Sequence, residues 1–290
     1  MSTQCPACKL GQAALLGQVP ARSSEFGFSD GGNLYECPDC HLLFLNKPGA
    51  QTPISHLYEE LPSDLLDEVS GRRDFELAAQ EILKCGPDAR VLDVGCFRGD
   101  FLASLPPGLA KYGIEPSQAA RRVAEARNIQ VIGESVETTA CQEMRFDVIV
   151  MMDVVEHLPD PFEGISKVSR WLAPGGRVII TTGNSDALPW RLARLSYWYY
   201  LPQHISFCNP RWFRWVAARL GLQFVRTAAF SHSRRAYRKW FVAERWRQFA
   251  KCLGAWALAR LGSRTLLSRV QGDATWPDHL LVVLAASPAR

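Results

Sequence analysis

The chain has 290 residues, of which 47% are hydrophobic and 21% are charged, and its net charge is +4. This length can form a full α/β core with a small accessory domain, and the composition is ordinary for a globular protein. The net charge is too small to indicate nucleic-acid binding by itself, and no apolar run reaches the roughly 20 residues of a membrane span. The N-terminal residues lack a secretory signal, so we expect a cytoplasmic protein with free or metal-bound cysteines.

Two Cys-Pro-x-Cys pairs lie near the N-terminus, Cys5 with Cys8 and Cys37 with Cys40. A two-residue gap lets both thiolates of a pair reach one tetrahedral zinc ion, and a second pair completes the four ligands. We therefore interpret residues 1–50 as a zinc ribbon with a structural Zn²⁺. The alternatives are unpaired structural cysteines or a redox pair, and His41 is a further candidate ligand.

Residues 51–88 are interpreted as a linker followed by a helical cover. The stretch from residue 46 to 62 is rich in proline, glycine, threonine and serine, which is typical of a linker. Apolar residues then recur at helical spacing between residues 64 and 84, and Gly86-Pro87 ends the pattern. One or two helices covering the edge of the main domain are expected here.

From residue 89 onwards, apolar strands alternate with helices, which predicts an α/β fold with a doubly wound, mostly parallel, seven-stranded sheet. The predicted strands are Arg90–Val94, Leu109–Glu115, Ile129–Ile132, Phe146–Met152, Arg177–Thr182, Leu222–Phe230 and His279–Ala286. The predicted helices are Gly99–Ser104, Ser117–Arg127, Pro161–Leu172 and Asn209–Leu220.

The first strand of this series contains Asp93 and is followed by a turn with Gly95 and Gly99. Glycine allows close approach of backbone to a ligand, and the amides at a helix start attract an anion. Glu115 and Asp153 end two further strands, so three acids are expected at the same sheet edge. These features predict a nucleoside-bearing cofactor, with Glu115 accepting hydrogen bonds from the ribose. The glycine spacing disfavours a nicotinamide dinucleotide.

Basic and aromatic residues are interleaved from 231 to 271, where Glu244 is the single acid. Such a segment can bind a membrane surface, an anionic or lipid-linked substrate, or nucleic acid, of which nucleic acid is the least favoured. The alternative is a packed helical pair with a solvated basic face. A second aromatic group, Trp190 with Tyr197–Tyr200, is either an acceptor pocket or lid, or a buried patch.

Four motifs together resemble the class I S-adenosylmethionine-dependent methyltransferases, in particular small-molecule enzymes with an N-terminal zinc ribbon. They lie at residues 91–99, 113–117, 146–161 and 172–178. The resemblance implies a Rossmann-like methyltransferase domain over residues 89–290, interrupted by the basic insertion at 231–271. One departure is Phe97, which stands where the family usually has a glycine, so its ring must turn away or the turn must shift.

The resemblance also implies a cofactor site for S-adenosylmethionine. Its carboxylate is expected on the turn amides after Gly95, its ammonium near Asp93 and Gly95, and its ribose on Glu115. The adenine is expected beside Ser135 and Val136, and the methionine part beside Met152 and Asp153. The implied cofactor-binding residues are Asp93, Gly95, Gly99, Glu115, Pro116, Ser135, Val136, Met152 and Asp153.

The implied reaction is methyl transfer to oxygen or carbon of a small molecule, such as a sugar, glycolipid or polyketide-like acceptor. An acceptor that must lose a proton needs a base, and His204 is preferred over His157 for that role. Hydrogen bonds that order the loops are the alternative for both histidines. The competing function is a catalytically degenerate fold that serves as a zinc-ribbon binding module for membrane or nucleic acid.

Overall fold

The computed structural model describes residues 3–20, 31–46, 72–141, 143–201, 203–231 and 277–288. The predicted linker, the first part of the helical cover, and all but Ser231 of the predicted basic insertion lie outside the described residues. No helix in the described part is long and apolar enough to cross a membrane.

A seven-stranded sheet forms the centre of the main domain, as predicted. Its order is β10-β11-β8-β7-β4-β5-β6, and β11 runs antiparallel to both of its neighbours. The chain begins this sheet at β4 and later returns to the other side of β4 with β7, so the strand order switches there. The strands are Arg90–Val94 (β4), Ala110–Ile114 (β5), Gln130–Gly133 (β6), Phe146–Met152 (β7), Leu172–Gly183 (β8), Gln223–Phe230 (β10) and His279–Ala285 (β11).

Helices cover both faces of this sheet, because the central strands are apolar on both sides. Three helices begin with side chains that accept from backbone amides: Ser117 from Ala120, Asp160 from Glu163, and Asn209 from Trp212. The helices are Arg73–Ile82 (α1), Asp100–Ser104 (α2), Gln118–Ala126 (α3), Pro161–Ser169 (α4), Leu188–Ala193 (α5) and Pro210–Leu220 (α6).

The fifth strand, β8, is longer than predicted and begins at Leu172 instead of Arg177. Leu172 pairs with Phe146 of β7, and the amide of Ala286 donates to the carbonyl of Gly176. Neighbouring strands therefore satisfy the backbone through the Pro-Gly-Gly segment, which local sequence pattern alone would assign to a turn.

The N-terminal segment forms a second, antiparallel sheet from Ala14–Val19 (β1), Gly32–Glu36 (β2) and Leu43–Asn46 (β3). A fourth strand, Ser206–Phe207 (β9), joins its edge from the main domain and pairs with β3. The buried cysteines of this segment also share a hydrophobic cluster with the central sheet. The boundary at residue 50 stays a prediction, but the two parts are joined by backbone pairing and by packing.

The packing of Gly99 in the glycine turn can be tested by comparison with Gly175, which has nearly the same φ angle. Gly99 and Gly175 have φ values of +75° and +74°, but a Cβ on Gly99 would lie 2.1 Å from Cδ1 of buried Ile129, whereas one on Gly175 meets nothing within 4 Å. We expect Gly175→Ala to cost about 1–2 kcal/mol of unfolding free energy for the left-handed backbone. Gly99→Ala is expected to cost about 1–3 kcal/mol more through overpacking.

Denaturant unfolding of the two variants and of the wild-type protein measures both losses of unfolding free energy. Equal destabilisation by the two substitutions would contradict the packing role assigned to Gly99.

Candidate active site

Three acidic residues meet at the carboxyl ends of neighbouring strands. Asp93 lies in β4, Glu115 directly follows β5, and Asp153 directly follows β7. Because β4 pairs in parallel with both β5 and β7, the ends of these strands form one edge at the switch in strand order. Ligands of open α/β sheets bind at this place. The acids predicted from the sequence to converge therefore do converge.

Glu115 holds the glycine turn in place. Its Oε2 accepts a hydrogen bond from the Phe97 amide at 2.8 Å, and its Oε1 accepts from the Ser117 amide at 2.8 Å. Burial raises the pKa of Glu115, and these two amides oppose that shift. Each carboxylate oxygen can accept more than one hydrogen bond, so the group keeps capacity for a ligand hydroxyl.

Phe97 keeps a left-handed backbone, with φ +48°, so the residue adopts the conformation that usually favours glycine. Its ring lies against the guanidinium of Arg98, 5.2 Å from the ring centroid. Gly95 is exposed at this edge, whereas Gly99 is buried against Ala124 and Ile129. Gly99 thus has a packing role, and its contact with a cofactor stays a prediction.

Four amides of the glycine turn already have hydrogen-bond partners within the protein. The amides of Gly95 and Cys96 both donate to the carbonyl of Ile114, at 2.8 and 3.1 Å. The Phe97 amide is bonded to Glu115, and the Gly99 amide donates to the carbonyl of Cys96. These four amides have partners within the protein, and the binding of a cofactor carboxylate at the turn stays a prediction.

Arg72, which the sequence analysis missed, supplies a positive charge at the same edge. Its guanidinium bonds both carboxylate oxygens of Asp74 and reaches Oδ2 of Asp153 at 2.6 Å. Burial, reinforced by the charge of Glu115, raises the pKa of Asp93, and the nearby Arg72 opposes this. Arg72 thus bonds two carboxylates, Asp74 and Asp153, and lies near a third, Asp93. Its position in the chain, at the start of a helix that covers the sheet edge, was the available signal.

The remaining predicted cofactor residues lie at or shortly after the ends of strands of the central sheet. Pro116 lies between Glu115 and the capping residue Ser117, and Met152 ends β7. Val136 is buried, and Ser135 accepts a hydrogen bond from the Thr138 amide. Their contacts with a cofactor stay predictions.

The two candidate histidines come together although they are far apart in the chain. The ring centroids of His157 and His204 lie 4.8 Å apart. Nδ1 of His157 lies 3.1 Å from the carbonyl of Gln203, and Nδ1 of His204 lies 2.8 Å from that of Tyr199. A carbonyl can only accept, so each Nδ1 carries a proton in a neutral ring and each Nε2 keeps its lone pair. Both histidines therefore order loops and can also act as bases.

Glu156 joins the histidines and was not singled out from the sequence. Ligand atoms of Glu156, His157 and His204 lie within 4.8 Å of one another, an arrangement that could hold a metal ion. The hydroxyl of Tyr199 donates to Oε1 of Glu156 and accepts from the amide of Gly183. Burial, followed by the charge of Asp153, raises the pKa of Glu156 to about 7.

The aromatic residues in and directly after α5 form a closed cluster. Trp190 stacks on Tyr197 with centroids 4.7 Å apart and donates to the hydroxyl of Tyr200 at 2.9 Å. Trp190, Tyr197, Tyr199 and Tyr200 are all buried. Burial of these four rings favours the buried patch, whereas Trp198 is half-buried, and an acceptor pocket or lid here stays a prediction.

The four predicted zinc ligands also come together. The sulfur atoms of Cys5, Cys8, Cys37 and Cys40 lie within 4.8 Å of one another. The two closest pairs, Cys5 with Cys40 and Cys8 with Cys37, are separated by 3.6 and 3.4 Å. The hydrogen bond between Cys5 and Cys40 lowers the pKa of Cys5 and raises the pKa of Cys40, and burial raises the pKa of Cys8. The donor set and its spacing fit a tetrahedral zinc ion. His41 is not part of this cluster.

Comparison with known proteins assigns a family to this arrangement. A family model described as a methyltransferase domain matches residues 69–227, which is more than half of the chain. Among solved structures, the [4+2]-cyclase SpnF has a TM-score of 0.51 at 16% identity, over 75% of this chain and 82% of that chain. This similarity concerns the fold alone.

Two curated relatives are ubiquinone biosynthesis O-methyltransferases. The one from Serratia proteamaculans is 34% identical over 42% of this chain and 57% of its own length. The one from Klebsiella pneumoniae subsp. pneumoniae is 36% identical over 36% of this chain and 46% of its own length. The chain thus spans about half the length of the curated relatives it matches.

Because Glu156 is buried and its pKa is raised, we predict that the free energy of unfolding depends on pH. Its pKa rises from the ordinary value of 4.5 to about 7 on folding, so the unfolded chain ionises first as pH rises. The stabilisation is fully present below pH 4.5 and is lost as the pH rises towards 7. Between pH 4.5 and 7 we expect the unfolding free energy of the wild-type protein to fall by about 3 kcal/mol relative to that of Glu156→Gln.

Denaturant unfolding of both proteins between pH 4 and 8 measures this difference. Tyr199→Phe serves as a control, because it removes a hydrogen bond that lowers the pKa of Glu156 and should extend the window upwards. If the difference in unfolding free energy between the wild-type protein and Glu156→Gln does not change with pH, the raised pKa assigned to Glu156 is contradicted.

Proposed function

The chain belongs to the methyltransferase domain family, and from this premise we propose that it transfers a methyl group from S-adenosylmethionine to an oxygen atom of a small molecule. The observation that carries the proposal is the convergence of Asp93, Glu115 and Asp153 at the switch in strand order. Arg72 offsets only part of the negative charge of these acids, and the cofactor brings a sulfonium and an ammonium group. A cationic cofactor relieves the repulsion among buried carboxylates.

The charges suggest how each part of the cofactor is held. The ribose hydroxyls donate to Glu115, which is already fixed by two backbone amides. The ammonium is held near Asp93, and Met152 and Asp153 border the methionine part. Arg72 takes the carboxylate, since the amides of the turn are used within the protein. Ser135 and Val136 border the adenine.

Oxygen is favoured over carbon as the methyl acceptor because the curated relatives are O-methyltransferases. The expectation of a sugar, glycolipid or polyketide-like acceptor rested partly on stacking against aromatic rings. Trp190 and Tyr197, two of these rings, are instead buried against each other, which weakens that expectation. A hydroxyl-bearing small molecule is the acceptor class that we retain.

His204 is proposed as the base that takes the proton of the acceptor hydroxyl. Its Nδ1 is fixed on the carbonyl of Tyr199, which leaves Nε2 as the proton acceptor. Alignment of the hydroxyl, the methyl group and the sulfur supplies much of the remaining rate acceleration. Cys5, Cys8, Cys37 and Cys40 are proposed to hold a structural zinc ion, whose closed ligand set leaves no position for a substrate.

Two ligands separate the roles of the cofactor residues. S-adenosylmethionine should bind with a dissociation constant near 1 μM, roughly −8 kcal/mol. Its analogue 5′-methylthioadenosine keeps the ribose but lacks the amino-acid part. We expect Glu115→Gln to weaken both ligands about tenfold, because a hydrogen bond to a charged group is worth roughly 1.5–3 kcal/mol. Arg72→Ala should weaken S-adenosylmethionine by a similar factor and leave the analogue unchanged.

Titration calorimetry measures these affinities. Arg73→Ala is the matched control, since Arg73 is adjacent but pairs with Glu76 on the surface of α1. If neither ligand binds the wild-type protein, the alternative of a catalytically degenerate fold that serves as a zinc-ribbon binding module is the better description.

The acceptor side is tested with His204→Gln and His157→Gln. A positioned base contributes about 10²–10⁴ to the rate, so His204→Gln should lower turnover at least 100-fold with little change in cofactor affinity. His157→Gln should lower it less. The assay follows the tritiated methyl group of S-adenosylmethionine into a panel of phenols, sugars and amines. Equal losses in the two variants, or a parallel loss of cofactor binding, would reject His204 as the base.

A further inference from the structure

One residue, Ile205, joins the zinc ribbon to the proposed acceptor side. The amide of Leu45 in β3 donates to the carbonyl of Ile205 at 2.9 Å. The amide of Ile205 donates in turn to the carbonyl of Glu156 at 2.9 Å. Ile205 directly follows His204, and β9 continues the pairing through Phe44–Ser206 and Leu43–Phe207. The ribbon therefore reaches both proposed acceptor loops through backbone hydrogen bonds.

A fully buried side chain, Asn209, makes a second connection at the metal cluster itself. Its Nδ2 donates to the carbonyl of His41 at 2.8 Å, and its Oδ1 accepts from the Trp212 amide at 2.9 Å. His41 directly follows the zinc ligand Cys40, has a left-handed backbone, and donates its amide to the carbonyl of Cys37. Closure of this knuckle thus fixes the carbonyl that Asn209 binds.

Side chains of the ribbon complete the contact from the other side. Val19, Leu34 and Leu45 are buried in the same cluster as Trp190 and the tyrosines after it. That cluster carries the Tyr199 carbonyl, which holds Nδ1 of His204. The ribbon is consequently one wall of the structure that positions this histidine.

The ribbon packs against the central sheet through apolar contacts, but within the residues that the structure describes the cofactor side has no comparable polar attachment. In the described ranges, hydrogen bonds and ion pairs from the ribbon to the main domain end on Asp160 and on residues 205–211. None ends on Asp93, Gly95 or Glu115. The polar connections of the ribbon are therefore concentrated near the acceptor loops.

We propose that the zinc-bound ribbon positions the acceptor side of the site, and that Asn209 is a positioning residue that transmits the geometry of the metal knuckle to His204. Metal binding then controls the placement of His204 and Glu156 and leaves the cofactor side largely unchanged. This proposal rests on the function proposed above.

Amide hydrogen exchange on the full chain tests the connection. Zinc-loaded protein is compared with protein stripped by a chelator, and metal analysis gives the zinc content of each sample. We expect the amides of residues 203–209 to exchange at least about tenfold faster after stripping, and those of β4 and β5 to change less than about threefold. Unchanged exchange in 203–209, or an equal rise in all three segments, would overturn the proposal.

Asn209→Ser tests the same link with zinc still bound. Serine can cap α6 and adds no charge, but it is too short to donate to the carbonyl of His41. We expect zinc content to be retained, exchange in residues 203–209 to rise about fivefold or more, and the Cε1–Hε1 resonance of His204 to move. That resonance is assigned with His204→Gln. Lys9→Ala is the matched control, because it removes the ribbon's ion pair with Asp160 and leaves the link through Ile205 intact.

An unmoved His204 resonance in Asn209→Ser, or an equal response in Lys9→Ala, would contradict the positioning role. Calorimetry with S-adenosylmethionine on the same samples separates this proposal from the proposed function. If exchange in residues 203–209 and the His204 resonance do not respond while cofactor binding is intact, only the positioning role is rejected. Absence of cofactor binding rejects the proposed function even where exchange in residues 203–209 responds to zinc.

Discussion

The pair of hydrogen bonds that Glu115 accepts from Phe97 and Ser117 is the interaction on which the site depends. A buried carboxylate is costly unless it is satisfied, and these two amides satisfy it while they join the glycine turn to the start of α3. The same turn is attached to β5 through the carbonyl of Ile114. The sheet edge is thereby preorganised, with its acids held close together before any ligand binds.

Concentrated negative charge at this edge explains why a cation is the expected ligand. Asp93 and Glu115 are buried and their pKa values are raised, so the protein disfavours their ionisation without a positive partner. Arg72 provides part of that charge and remains near enough to meet a carboxylate. Since one fold can support different reactions, this local chemistry, together with the family assignment, carries the functional argument.

Much of the fold was predictable because local pattern and tertiary structure agree. The seven strands, the helix starts near Ser117 and Asn209, and the meeting of Asp93 with Glu115 all follow from periodicity and from the rule for parallel sheets. The cysteine spacing likewise indicated a metal cluster whose four sulfur atoms do come together.

What the sequence did not predict depends on contacts between distant residues. The link from Arg72 to Asp153, the bond from Tyr199 to Glu156, and the pairing of β9 with β3 have no local signal. The partners of the turn amides were not foreseen for the same reason, since Ile114 lies in another strand. β9 has only two residues and exists because the edge of the ribbon offers it partners.

A crystal structure with S-adenosylhomocysteine, the product left after methyl transfer, is the most direct measurement of the central claim. The account predicts the ribose hydroxyls within hydrogen-bond distance of Glu115 and the amino-acid carboxylate on Arg72. The sulfur should point towards His204. A product bound elsewhere, or a Phe97 ring that fills the space over Gly95, would contradict the assignment of this edge as the cofactor site.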